Sequence, residues 1–230
     1  MKFKKYPKIA TERFDRARIW IKYIVNQTKF YISKNVIEIG AGCGSFARAY
    51  YRKEFNTLVL TESDNVNLYD LNKIFFQFSN VKIIRSTIKN IKKKFDTIIY
   101  FNVLEHIKDD TSEINNAINK LNKNGYLIIL VPAHQNLYGN LDLAVGHYRR
   151  YNISYFAKSF KNCKIVELKF LDMAGYFLYY FNNLFFKKQT YPSKIKIFIW
   201  DKFFTPLTII LDFITLYRFG KNILCVLKKI

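Results

Sequence analysis

Residues that staple or break a chain are scarce in this sequence. Its 230 residues include only three cysteines, four prolines and eight glycines. Cys43, Cys163 and Cys225 are scattered and odd in number, and no two have metal-ligand spacing. That argues against a disulfide framework and implies a reduced, cytosolic setting. No Pro/Gly/Ser-rich linker or internal repeat divides the chain, so one domain over 1–230 is expected. Acidic residues are also few: 17 against 38 basic, a net charge of +21. The functional reading is a polyanionic partner, either nucleic acid or an anionic membrane surface. The plainer reading is compositional, because Lys, Asn, Ile, Phe and Tyr are all abundant and the lysines are spread along the chain. Long apolar runs are missing as well. The N-terminus lacks a signal-peptide core, and the longest charge-free runs fall well short of the ~20 apolar residues that span a bilayer. A cytoplasmic location follows, with peripheral membrane contact as the remaining membrane option.

Half the residues are hydrophobic, enough to bury a substantial core. Residues 1–10 read as a basic tail and 11–32 as a helix. Strands are expected at Val36–Ile39, Thr57–Thr61, Val81–Ile84, Phe95–Phe101 and Tyr126–Val131. Helical patterns lie between them, at Ser45–Lys53, over 66–78, and behind Asp110 and Glu113, which have capping-box spacing. Asn124-Gly125 reads as the end of that last helix. Alternating strands and helices imply a parallel sheet with right-handed crossovers. Beyond it, a short helix is expected over 153–160, then strands at Lys164–Phe170 and Asn222–Lys228. The aromatic stretch between those strands, 173–219, is interrupted by Lys187, Lys188, Asp201, Lys202, Asp212 and Arg218. Packing on the sheet or in a dimer is its plainer reading; an interfacial helix pair is the other.

Three of the eight glycines fall in Val36-Ile37-Glu38-Ile39-Gly40-Ala41-Gly42-Cys43-Gly44. A strand running into such a loop and then a helix is how α/β proteins cradle a nucleotide-like ligand. A dinucleotide fingerprint needs G-x-G-x-x-G, but Ser45 holds the third glycine's place, which disfavours a nicotinamide oxidoreductase. Alternating glycines behind Glu38 suit S-adenosylmethionine, whose ammonium group a carboxylate can help to bind. Glu62, at the end of the second strand, can accept both ribose hydroxyls. Alternatively it is only a neighbour of the helix cap, for which Asp64 is the better residue.

These residues resemble the class I S-adenosylmethionine-dependent methyltransferases. VIEIGAGCGSF (36–46), LTESD (60–64), FDTIIYFNVLEHIKDD (95–110) and LNKNGYLIILVP (121–132) follow in that family's order and spacing. Val131-Pro132-Ala133-His134 with Gly146-His147-Tyr148-Arg149-Arg150-Tyr151 is similar to a bacterial subgroup often found beside glycan or envelope genes. The resemblance implies a Rossmann-like three-layer α/β fold, with a mostly parallel seven-stranded sheet whose last strand is antiparallel. It implies a cofactor-binding core over 33–132 and an acceptor side over 133–230. Glu38, Gly40, Gly42 and Gly44 would hold the methionine and ribose portions, Glu62 the ribose, and Asn102 and Val103 would lie beside the methionine portion or the sulfonium. After the third strand the family's usual acidic residue is absent, leaving Ser86 near the adenine.

Methyl transfer from a sulfonium mainly needs alignment, plus a base where the acceptor must lose a proton. His106 and His147 are the candidate catalytic residues. For His106 the plainer role is to orient its loop. His147 adjoins two arginines, whose charge favours a neutral imidazole able to take a proton near neutral pH. His134, Tyr148, Arg149 and Arg150 are the candidate acceptor-binding residues, the arginines for an anionic group. Alternatively an arginine pairs with Glu105 or Asp142 and only holds the loop. No metal constellation is visible. The acceptor expected is a small molecule or glycan, with lipid-linked substrate contact through 173–219 left open. An RNA methyltransferase or nucleic-acid-binding protein, and a non-catalytic partner protein of the same fold, are the alternatives.

Overall fold

In the computed structural model, which describes residues 13–158, 160–185 and 191–230, seven strands form one sheet. They are β1 Asn35–Ile39, β2 Thr57–Thr61, β3 Val81–Ile84, β4 Phe95–Phe101, β5 Leu121–Pro132, β6 Cys163–Leu171 and β7 Asn222–Lys229, in the order β3-β2-β1-β4-β5-β7-β6. Strand β7 runs antiparallel to both β5 and β6, and the other pairs are parallel. The order reverses between β1 and β4, and ligands of open α/β sheets bind beyond the strand ends at such a switch point.

Both faces of the sheet are buried, which is why its strands read as nearly unbroken apolar runs. On one face Ile37, Ile98, Ile129 and Cys225 pack with α4 (Asp110–Asn119). On the other, Val36, Ile99, Leu130 and Leu224 pack under α1 (Arg18–Thr28), α2 (Ser45–Tyr50) and α3 (Asn65–Phe75). Asp64 caps α3, as expected, accepting from the Val66 and Asn67 N–H groups.

Several local expectations need correction. The helix expected over 11–32 is broken by a turn at 15–16, so that α1 starts at Arg18 and ends at Thr28; the basic tail and residues 11–12 lie outside the described residues. The N-cap of α4 is Asp109, accepting from the Ser112 N–H at 3.1 Å. Asp110 is buried instead and takes the Tyr151 hydroxyl at 2.7 Å. Helix α4 ends at Asn119, and Asn124-Gly125 lies inside β5, where the register slips between Phe95 and Thr97. Asn124 has φ +63°, so the left-handed residue serves an irregular strand rather than a helix end.

The remaining helices are α5 (Asn140–Val145), α6 (Ile153–Phe156), α7 (Met173–Phe185), α8 (Lys194–Ile199) and α9 (Thr205–Ile214). A π-helical turn, Trp200–Phe204, joins α8 to α9. Lys187 and Lys188 lie outside the described residues. The inner face of 194–214 begins with Ile197 and is polar from there on. Asp201, Thr205, Thr208 and Asp212 recur at helical spacing and are all buried. Asp201 accepts from the Ile19 and Trp20 N–H groups at the start of α1 (3.2 and 2.9 Å). Asp212 does the same for the Asp172 and Met173 N–H groups at the start of α7, and takes the Tyr23 hydroxyl at 2.8 Å. Each carboxylate thus satisfies orphan donors of another helix. The Trp20 and Trp200 rings meet at this junction, 5.6 Å apart.

Candidate active site

A cleft of about 1220 Å³ opens beyond the strand ends at the switch point. That exceeds the roughly 300–1,000 Å³ of a usual single-ligand site, so it has room for two reactants. Glu38, Gly40, Gly42, Glu62, Ser86, Asn102 and Val103 line one part of it, and Glu105, His106, Asp142, His147 and Arg150 another.

The first group sits where β1, β2 and β4 end. Gly40 and Gly42 have φ of +66° and +58°, backbone that suits glycine. A Cβ on Gly40 would lie 2.9 Å from a Val103 methyl carbon. The Gly42 N–H donates to Glu62 Oε2 at 2.8 Å, while the Ser63 and Asp64 N–H groups donate to Oε1. The carboxylate is therefore fixed, and Oε2 retains a lone pair for a hydroxyl. Glu38 is buried and takes the Tyr50 hydroxyl at 2.5 Å. Burial pushes its carboxyl up to about 8, against the pull of that hydrogen bond, and the Glu62 charge adds to the rise. The Ser86 hydroxyl donates to the Thr87 carbonyl. Gly44 has a different role from the one expected. It lies outside the cleft wall, at φ +82°, and a Cβ there would meet Leu71 at 2.9 Å and Phe75 at 3.0 Å. It is a glycine because α3 packs against it.

The second group is built on Asp142, which reaches the cleft from α5. Its Oδ1 meets His147 Nδ1 at 2.7 Å, and both its oxygens accept from Arg150 Nε at 3.0 Å. The Tyr179 hydroxyl from α7 donates to Oδ2 at 2.8 Å. Burial opposes ionisation of Asp142, but His147 and Arg150 outweigh it and hold the carboxyl well below its usual range. A carboxylate opposite Nδ1 fixes the proton there and leaves Nε2 as the basic nitrogen. That Nε2 lies 3.8 Å from Glu105 Oε1. Glu105 is 1% exposed, and neither of its carboxylate oxygens accepts a hydrogen bond. Burial raises its carboxyl to about 7, although the charges of His147 and Arg150 pull the other way. His106 stands edge-on to His147, ring centroids 4.6 Å apart. Burial, with the His147 charge, lowers it to about 3, so it stays neutral and is a weak proton acceptor.

Three expectations for the acceptor side are overturned. The arginines beside His147 in sequence are not free charges, and the alternative of a loop-holding pair with Asp142 holds for Arg150. Arg150 is buried against Asp142 under the Tyr179 ring, and Arg149 pairs with Asp110 and the Lys108 carbonyl. Both hold the loop, and the basis for an anion site is gone. His134 lies outside the cleft wall, stacked on Phe170 with its Nε2–H on the Gly220 carbonyl, because φ of +64° turns it to the far side of β5. Tyr148 is also outside that wall, and its N–H ties the loop to the Glu105 carbonyl.

Asp142, Glu105 and Tyr179 carry more of this site than their sequence context signals. The two acids enter the sequence reading only as partners for an arginine. The absence of a metal constellation rested on spacing along the chain, yet the fold gathers Glu105, His106 and His147 with their ligand atoms within 4.8 Å of one another. That donor set could hold a divalent cation.

Residues 10–169 match the family model described as "Methyltransferase domain". Among solved structures, coclaurine N-methyltransferase bound to N-methylheliamine and SAH superposes with a TM-score of 0.63 at 12% identity, covering 93% of this chain and 72% of that one. The N-methyltransferase NodS from Bradyrhizobium japonicum WM9 gives 0.55 at 12%, covering 94% and 96%. The plantazolicin methyltransferase BpumL in complex with SAH gives 0.55 at 13%, covering 96% and 84%. At such identities the likeness is one of fold. Probable polyketide synthase 42 of Dictyostelium discoideum is 26% identical over 152 residues, 55% of this chain. The chain spans 6% of that protein's length.

Proposed function

The chain belongs to the methyltransferase-domain family, and on that premise we propose that it transfers a methyl group from S-adenosylmethionine to a small-molecule or glycan acceptor, at oxygen or nitrogen. One observation carries the reading: the glycine loop with Glu62 and the Asp142–His147–Glu105 cluster face the same cleft. The neighbours of this fold that bind SAH, and the small molecules named with them, agree with it.

The residues of the cleft fit the donor. Gly40 and Gly42 hold left-handed backbone that a side chain would strain, Glu62 offers a ribose acceptor, and the Glu38 carboxyl, raised by burial, would give up its proton to a neighbouring ammonium charge. Bound there, the donor supplies a methyl already activated by its sulfonium. Methyl transfer would cleave that carbon–sulfur bond as the acceptor heteroatom takes the methyl, and His147 Nε2 is placed to accept the proton the acceptor gives up. Asp142 orients the ring and stabilises the imidazolium, while Glu105, 3.8 Å from Nε2, lies where it shares that charge. Neutral His106 packs the ring in place.

The test is calorimetric titration with S-adenosylmethionine, followed by turnover assays. Micromolar binding that is lost in Gly42→Val and weakened in Glu62→Ala is expected. No binding at millimolar ligand overturns the reading. Binding without turnover on any acceptor identifies a non-catalytic relative instead.

A further inference from the structure

Residues 194–214 form a helix turned inside out. Its inner stripe is Ile197 followed by the polar series Asp201, Thr205, Thr208 and Asp212, all buried. Its outer stripe is Ile195, Phe198, Phe203, Ile210, Phe213 and Ile214, each more than half exposed. Single exposed apolar residues are ordinary on a protein surface. A continuous stripe about 30 Å long, at ~1.5 Å per residue, marks an interaction face. Phe177 and Phe181 of α7 extend it on the neighbouring helix.

Two observations identify the partner. The first is charge. Asp201 and Asp212 are the only acids between 173 and 221, and both face inward. Lys194, Lys202 and Arg218 are exposed around the stripe. An apolar face with a basic rim and no exposed carboxylate among its described residues matches an anionic lipid surface. A second copy of the chain fits less well, because a two-fold contact would set this rim against itself. The second observation is continuity with the cleft. Phe181 and Ile199 are exposed and also line the cleft, where Lys196 joins them. No helix among the described residues is long and apolar enough to cross a membrane, so the helix would lie on the bilayer.

We propose that this face docks on an anionic bilayer, and that the methyl acceptor is a membrane-borne amphiphile whose polar end enters the cleft past Phe181 and Ile199. The second half rests on the methyltransferase reading; the first does not.

The test is flotation of the full chain with vesicles of phosphatidylcholine alone or mixed equally with phosphatidylglycerol. Binding to the mixed vesicles is expected. Phe203→Ser and Phe213→Ser, both outside the cleft wall, should each weaken it roughly tenfold, with circular dichroism and S-adenosylmethionine binding unchanged. Lys202→Glu should weaken binding to the mixed vesicles only. Gly42→Val should leave vesicle binding intact while abolishing transfer, which separates failure of this proposal from failure of the enzymatic reading. No vesicle binding overturns the proposal. So does a dimer that these substitutions dissolve without any vesicle binding, or a chain that binds RNA in preference to vesicles. For the acceptor, tritiated methyl from S-adenosylmethionine should enter the chloroform phase of a bacterial envelope lipid extract; label confined to the aqueous phase overturns that half.

Discussion

Helix α4 and the 194–214 helix bury opposite faces. Helix α4 turns Ile114, Ala117 and Ile118 into the sheet, the usual arrangement. The later helix turns two carboxylates and two threonines inward and leaves phenylalanines and isoleucines outside. The same contrast separates the chain's two halves. Around β1, β2 and β4 the interior is mostly apolar, aliphatic residues packing with aromatics such as Phe95, Phe101 and Tyr100, and polar groups such as Thr97 and Glu113 are few there. Beyond β5 it is held by Asp142, Arg150, Asp172, Asp201 and Asp212, each satisfied by a neighbour. Periodicity tells which residues share a face; what the other elements need decides which face goes in.

The largest expected effect sharpens that contrast on the polar side. His147→Ala should lower kcat by about 10²–10⁴-fold, with S-adenosylmethionine affinity unchanged by calorimetry. Asp142→Ala should lose as much activity and also stability, because it strands Arg150 and Tyr179. Next comes Asp212→Ala, which leaves the Asp172 and Met173 N–H groups and the Tyr23 hydroxyl without their acceptor. Urea denaturation should show a loss of about 2–4 kcal/mol. Ile114→Ala in α4 should cost about 2–5 kcal/mol, through a cavity instead.

A smaller effect is a slope with pH. Glu38 and Glu105 titrate from about 8 and about 7 in the fold, against 4.5 ordinarily. Between those values the folded chain holds protons that the unfolded chain has released, so stability falls as pH rises from about 4.5 to about 8. Thermal melts should show this decline, and Glu38→Gln should flatten its upper part. The smallest effect is Ile210→Ser, within about 0.5 kcal/mol. If it cost as much as Ile114→Ala, the outer stripe would be interior after all, and the contrast between the two helices would break.

The first half of the molecule was legible because local rules and tertiary demands agree there. Val36–Ile39 is apolar because both faces of its strand are covered, and Gly40 and Gly42 bend where the backbone passes the cleft. The exceptions are instructive. Gly44 shares their spacing but serves α3, a contact that no local pattern encodes. Arg149 and Arg150 read either as a basic pair for an anion or as partners of Glu105 or Asp142; Asp142, eight residues back, takes Arg150 as the second reading has it, whereas Arg149 finds Asp110, 39 residues away. Asp201 and Asp212 looked like interruptions of an apolar segment. They are caps for α1 and α7, whose starts lie 182 and 40 residues from them.

The junction of the two tryptophans has an optical consequence. Trp20 and Trp200 are the only indoles in the sequence. They touch each other, line the cleft, and straddle the joint between α1 and the inside-out helix. All tryptophan emission therefore originates at one spot, beside both the ligand cavity and the apolar face. Filling the cavity and settling that face on lipid would each change the water around the same indole pair. The native chain carries its own reporter for both events, readable without a dye.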